Sequence, residues 1–256
     1  RGARKKHPPR YLEALDSCLH ALVDEKWKEF RYNPAGSPHL QTIFAGREEL
    51  ARTWQEGVKE QKIEKPPDCS FTDTDDFCDL LLSGTEVTGS CQSVTAPGSN
   101  NLGLLGTLMN GENRLFAIKN KQGEIIGRRM SRILWDPHSF RPVLFIEPFY
   151  GQGGTTTSVQ TTLDNMIVQR ARALGLPLCI KGPFLAEKPS TTPNPDPSQP
   201  PPTEPFTQTS YGSPLQALGG PAPCVYTDAG GLLKENGIYT IENPMLIEIM
   251  PKSSTQ

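Results

Sequence analysis

The chain has 256 residues, 26 Lys and Arg against 28 Asp and Glu, and a formal net charge of -2. That balance argues against a dedicated nucleic-acid-binding domain, which carries a basic excess. No apolar run approaches the roughly 18 residues of a membrane-spanning helix, and the length suits one large domain or a small one plus a larger one.

Residues 1–10 hold five Lys and Arg and no acid, and read as a basic disordered arm. Leu12, Leu15, Leu19, Leu22 and Val23 repeat at helical spacing, and Trp27 and Phe30 continue the stripe, so residues 11–32 read as one helix. Asn33-Pro34 ends it. A second helix is expected over 47–63, with Leu50, Trp54 and Val58 on its apolar side, and a short third over 75–82. Residues 11–82 are therefore expected to form an N-terminal helical lobe, or to brace the domain that follows.

From Arg114 the apolar period changes. Residues 114–119 and 125–134 read as two strands joined by the polar turn Asn120-Lys-Gln-Gly123, and Val143–Ile146 begins a third. Gly151, Gly153 and Gly154 then lead into a helix over 158–174, with Gly175 at its C-cap, and 176–180 is a short buried strand. Residues 187–223 are proline-rich and read as an extended loop, which a proline-recognising module could also bind. Strands are expected again at 224–227, 237–241 and 245–250. The fold class is mixed α/β (α+β), with a largely antiparallel sheet and one strand–helix–strand unit, over residues 83–256.

None of the six cysteines (18, 69, 78, 91, 179 and 224) forms a C-x-x-C pair, and the four histidines lie outside metal-ligand spacing, so no metal is expected. Sparse cysteines point to reduced thiols in a cytoplasmic setting.

A glycine-rich turn that opens a helix is a natural anion site, because its amide N–H groups are uncovered and the helix dipole favours negative charge. The run Ile146-Glu-Pro-Phe-Tyr150-Gly-Gln-Gly-Gly154-Thr155 resembles the pyrophosphate-binding stretch of the GNAT family of N-acyltransferases. It lacks that family's arginine and has Thr155 in place of the final glycine. Tyr226, four residues before Gly230, is similar to a tyrosine of the family that protonates the leaving thiolate. The resemblance covers about 114–182 and 222–250. It implies a GNAT-like sheet and transfer of an acyl group from acetyl-CoA or another acyl-CoA to a protein or small-molecule amine. Gly151, Gln152, Gly153, Gly154 and Thr155 would hold the cofactor, with Glu147 as base and Tyr226 as acid.

A rival constellation is a cysteine hydrolase of protease or isopeptidase type. Gly89-Ser90-Cys91 resembles the nucleophile stretch of papain-like proteases, with His138 downstream as base and Glu147 or Asp136 to orient it. A third reading is a non-catalytic interaction module on the same fold. Arg128, Arg129 and Arg132 share one strand and read as scattered solvated charges, or as a cationic surface. Glu147 either faces a cleft or pairs with an arginine of the neighbouring strand.

Overall fold

The computed structural model describes residues 9–33, 37, 39–63, 69–95, 100–190, 202–218, 232–233 and 238–249. The N-terminal region begins with α1 (Pro9–Val23), α2 (Trp27–Arg31), α3 (Leu40–Phe44) and α4 (Glu48–Glu56). The single helix expected over 11–32 is broken, because Glu25 adopts a left-handed φ of 57°. Past the break the apolar stripe repacks: Trp27 stacks on Phe30 at 6.0 Å and meets Phe77 edge-on at 5.4 Å. The second expected helix stops at Glu56. Gly57 has φ +68°, and a Cβ there would lie 2.3 Å from Arg114 Nη2, so only glycine fits.

After Gly57 the chain forms β1 (Val58–Ile63), paired antiparallel with β2 (Cys69–Thr74). The third helix, α5 (Phe77–Leu82), starts where the Asp76 side chain accepts from the N–H groups of Cys78 and Asp79. Helix α6 (Asn100–Met109) and strand β2 have no counterpart in the sequence expectation. The buried Arg31 closes the end of α6, its guanidinium donating to the carbonyls of Thr107, Leu108, Asn110 and Asn113.

The sheet continues with β3 (Asn113–Lys119), β4 (Ile125–Asp136), β5 (Arg141–Ile146) and β6 (Tyr150–Gly151), then α7 (Thr157–Leu174) and β7 (Leu178–Ile180). Gly175 ends α7 at φ +64°, as expected of a left-handed cap. Later come β8 (Glu187–Pro189), β9 (Thr203–Pro205), β10 (Gln208–Ser210), β11 (Leu215–Ala217), β12 (Leu232–Leu233), β13 (Tyr239–Ile241) and β14 (Met245–Ile247). The spatial order is β1-β2-β3-β4-β5-β7-β14-β10, with β6 and β11 also on β4 and with β13 joining β11 to β12. The described pairs are antiparallel except β5–β7, which the α7 crossover makes parallel. The fold is thus mixed α/β with a mostly antiparallel sheet.

The proline-rich region is not one loop. Its flanks form the β8–β9 ribbon, and β10 and β11 join the main sheet. This is possible because the prolines cluster in 191–202, leaving Gln208–Ser210 and Leu215–Ala217 with free N–H groups. The strand expected at 224–227, with Tyr226, lies outside the described residues, as do residues 1–8.

Helices cover both sheet faces. On one, α7 buries Leu163, Met166, Ile167 and Ala171 against Phe116, Ile133, Leu144 and Ile146. On the other, Leu80 of α5 and Leu108 of α6 meet Leu115, Ala117 and Met130. Residues 11–82, expected as a helical lobe or as a brace for the domain that follows, share the core of that domain. Leu40, Ile43, Trp54, Cys69 and Phe71 belong to the same buried cluster as Phe116 and α7.

An ionic knot ties these parts together. Arg114 of β3 donates from Nε to Asp73 of β2 at 2.7 Å and reaches Asp75 at 3.0 Å. Arg170 of α7 puts Nε 3.0 Å from Asp73 Oδ2, an ionic contact without hydrogen-bond alignment, and donates from Nη2 to the Trp54 carbonyl. Trp54, with no exposed surface, has the guanidinium groups of Arg114 and Arg170 at 5.7 and 5.8 Å from its ring. Its indole N–H donates to Gly111 O. Removing one charge from such a knot leaves the others buried and uncompensated. Asp73→Asn is therefore expected to cost about 3–5 kcal/mol in urea unfolding; a loss below about 1 kcal/mol, the range of an exposed pair, refutes a central role for the knot.

Candidate functional site

The glycine-rich turn sits where the parallel strand pair ends. β5 aligns with β7 through Ile146 and Ile180, and with β4 through Ile146 and Ser131. Beyond this, Tyr150 pairs with Arg128, so β5 and β6 spend one residue more than β4 and form a bulge over Glu147–Phe149. Pro148 has no N–H to extend the ladder toward β7, although the β7 chain still passes close by: a Cβ on Gly182 would lie 3.6 Å from Pro148 Cβ. Past that point the β5 chain turns onto β4 as β6, while the β7 chain crosses α7 and gives the Leu185 N–H to Asp164.

The Phe149 ring packs beneath the turn. A Cβ on Gly151 would lie 2.8 Å from it, and one on Gly127, directly across in β4, 2.9 Å. Gly153 and Gly154 are open: a Cβ on either would meet nothing within 4 Å, and Gly154 has φ +103°. Thr156 caps α7 by accepting from Val159 N–H. Among the described residues the N–H groups of Gly153, Gly154, Thr157 and Ser158 donate to no protein acceptor, and all four residues are exposed. They present a row of donors at the positive end of an 18-residue helix.

Two expected cofactor ligands hold the turn instead. Gln152 N–H donates to Ile126 O, and its side-chain amide to Glu86 O at 2.7 Å and Ile125 O at 3.3 Å. The Thr155 hydroxyl donates to Ile126 O. Gln152 and Thr155 therefore shape the loop, and the open donors fall on the glycines and the first turn of α7.

Below the turn lies a second ionic assembly. Arg129 of β4 meets Asp164 of α7 through two hydrogen bonds, 2.7 and 3.0 Å, with neither side chain exposed. It also donates to the carbonyls of Glu147 and Pro183, and its guanidinium lies 5.7 Å from the Phe149 ring and 5.3 Å from that of Phe184. Burial pushes the Asp164 carboxyl upward in spite of the adjacent Arg129. This side-chain cluster fixes α7, and hence its N-terminus, to the sheet.

Glu147, expected to serve as a base in a cleft, is fully buried on the opposite face and accepts from Arg132 Nε at 2.7 Å. Its pairing is with the arginine of the neighbouring strand. Arg128, Arg129 and Arg132 form no cationic surface: none is more than 3% exposed. Arg128 donates to Ser83 O, Ser90 Oγ and Gln92 Oε1 and lies 4.5 Å from the centre of the Tyr150 ring.

The hydrolase pair is not brought together. Cys91 lies between Ser90 and Gln92, beside Arg128. His138 is exposed in the turn beyond Asp136, at the far end of β4, roughly 25 Å away along extended strand. Asp136 is taken up by Ser139, Tyr211 and Ser213 hydroxyls and by the His138 N–H. Burial alone would raise its pKa; those hydrogen bonds hold it well below the usual carboxylate range. Tyr226 falls outside the described residues.

The sequence reading missed Arg129–Asp164, although an arginine inside an apolar strand and an aspartate inside a helix's apolar stripe are each a signal of buried pairing. It also missed Glu112, which is 2% exposed. Burial pushes its carboxyl up to about 8, against smaller lowering by Asn110 and Arg132. Neither a protein-family model nor a curated protein matches the chain. Among the described residues no helix is long and apolar enough to cross a membrane, and no group of three or more His, Cys, Asp or Glu is placed to hold a metal ion.

Glu112 makes a pH prediction. Between its ordinary 4.5 and about 8 the folded chain keeps a proton that the unfolded chain releases, so this group's contribution to stability falls as pH rises through that window. Glu112→Gln is expected to gain unfolding free energy relative to the parent at pH 8 compared with pH 5. Parallel stability–pH curves for the two proteins contradict the assignment.

Proposed function

We propose that the chain is an acyltransferase-type domain that binds acetyl-CoA or another acyl-CoA at the Gly151–Ser158 turn and passes the acyl group to an amine. The observation that carries this reading is the set of unpaired amide N–H groups at the start of α7, directly after a bulged strand whose ladder with its parallel neighbour ends at Ile146. Such a turn suits a pyrophosphate, whose oxygens accept from several aligned N–H groups at once.

In the reaction the amine nitrogen attacks the thioester carbonyl. The C–N bond forms, the C–S bond breaks, and the CoA thiolate leaves and is protonated. Glu147 is held by Arg132 inside the fold, so in this reading it keeps β4 and β5 in register and a water takes the amine proton. Tyr226 retains, from the family resemblance, the role of proton donor to the thiolate. The burial of Glu147 is also the specific observation that favours a second reading, a module on this fold that binds its ligand without the transfer chemistry.

The test is a thermal-shift titration with acetyl-CoA and desulfo-CoA, with pantetheine as the phosphate-free control, followed by an acyl-transfer assay on amine-bearing peptides and small amines. A ligand at 100 times its Kd stabilises the native state by about 2.7 kcal/mol, a shift of roughly 5–10 °C at this chain length. Both CoA forms are expected to give it and pantetheine not to. Gly153→Asp has steric room but places a carboxylate among the donors, and is expected to abolish the shift with an unchanged ligand-free Tm. Binding with transfer supports the enzyme; binding without transfer to any amine supports the module. No shift at millimolar acetyl-CoA rejects both.

A further inference from the structure

The turn between β4 and β5 ends on a residue that its own backbone disfavours. Asp136 pairs with Arg141 across the two strands, which leaves positions 137–140 as the connection. Phe140, the last of them, has a φ of +50°. That left-handed backbone suits glycine or asparagine and strains a residue as bulky as phenylalanine. The turn is held firmly in place. The Asp136 carboxylate accepts from the N–H groups of His138 and Ser139 and from the hydroxyls of Ser139, Tyr211 and Ser213. Phe140 is also 72% exposed, the one aromatic among the five large hydrophobic side chains exposed among the described residues. A lone exposed apolar side chain is ordinary. One that is both exposed and strained stabilises nothing inside the monomer, so its gain lies outside it.

Beside the turn lies a hollow of about 270 Å³ that fits such a ring. It begins at Arg141 and Pro142, the next residues in the chain, and its walls are Leu50, Pro142, Leu174, Leu176 and Pro177 with Arg47. It is open at Gly175, where an added Cβ would meet nothing within 4 Å. An apolar cavity of about 150 Å³ is enough to take up benzene. Arg47 narrows the choice of occupant, because a guanidinium attracts the face of an aromatic ring. It already lies 5.8 Å from the centre of the Trp135 ring. Phe140 does not fill the hollow of its own chain, since its side chain stands in solvent. A second copy offers ring and hollow together. The two are neighbours along the chain, so a two-fold axis between them lets each ring enter the hollow of the other copy, and the symmetry closes. A bilayer is the poorer host: a whole acyl chain gives only marginal binding there, and a single ring buries less.

We propose that the Phe140 turn is a self-association knob, whose ring seats in the hollow between Leu50 and Leu174 of a second copy, the exchange being made twice across a two-fold axis. The pairing is independent of the acyl-CoA reading, because it uses no residue of the glycine-rich turn. Two rings and their rims make an interface smaller than that of a permanent dimer, so monomer and dimer exchange with concentration.

Sedimentation equilibrium of the full chain, from about 1 µM to about 1 mM, reads this directly. A monomer–dimer equilibrium is expected. Phe140→Asn removes the ring and tolerates the left-handed backbone. It is expected to raise the Kd at least about tenfold, while the Tm of the dilute monomer holds or rises. Gly175→Asn keeps the left-handed cap of α7 and sets a side chain at the mouth of the hollow, and is expected to raise the Kd as well. A chain that remains monomeric throughout overturns the proposal, as does a dimer that Phe140→Asn leaves unaltered. A dimer weakened by Phe140→Asn but not by Gly175→Asn seats the ring elsewhere on its partner and also overturns it. Phe140-dependent binding to phosphatidylcholine vesicles without self-association would assign the ring to a lipid surface, and equally overturns it.

Discussion

The fold depends on where two arginines meet one aspartate. Asp73 lies on β2, Arg114 on β3 and Arg170 on α7, and Trp54 of α4 is held beside both guanidinium groups. Three charges inside a protein are costly unless each finds a partner in good geometry. The knot therefore tolerates few arrangements of the helices and strands that supply it. It joins residues separated by more than a hundred positions, with Arg170 donating to the Trp54 carbonyl. It also explains why Gly57 must be a glycine: the Arg114 guanidinium occupies the space where a side chain would stand. The first third of the chain is thereby part of the sheet's own core.

The same logic recurs along β4. Arg129 faces α7 and is matched by Asp164, whereas Arg132 faces the other way and is matched by Glu147. Alternation sends neighbouring arginines to opposite faces, and each face supplies its own counter-charge. These pairs are poor sources of net stability, since burial costs about what attraction returns, but they are strong constraints on register. A slip of β4 by one residue would leave every one of these charges unmatched. The consequence reaches the surface. Arg129–Asp164 sets the position of α7, and with it the open donors of the turn above.

Part of the candidate site was legible in the sequence because its signals are local. The glycines at 151, 153 and 154 and Gly175 announce a turn and a helix stop through backbone preferences alone. Glu147 was legible only as an alternative, cleft or ion pair, because period 2 states which neighbours share a face and not what covers that face. Gln152 was misplaced for a related reason. An amide in a glycine-rich turn suits a ligand in sequence, but here Glu86, 66 positions earlier, accepts its hydrogen bond. Cys91 and His138 looked compatible in chain order, and the length of β4 holds them apart.

The sequence by itself determined the elements whose cause lies within a few residues: the β3–β4 hairpin, β5, α7 and the mixed α/β class. It also carried the leucine spacing of α1. The tertiary structure alone decided that Val58–Ile63 is a strand, that the proline-rich flanks enter sheets, and that the arginines of β4 are internal. Periodicity and caps act over one turn or one strand pair. Burial of a charge, and the path of an edge strand, depend on groups supplied by chain far away, and those groups meet only when the whole core closes.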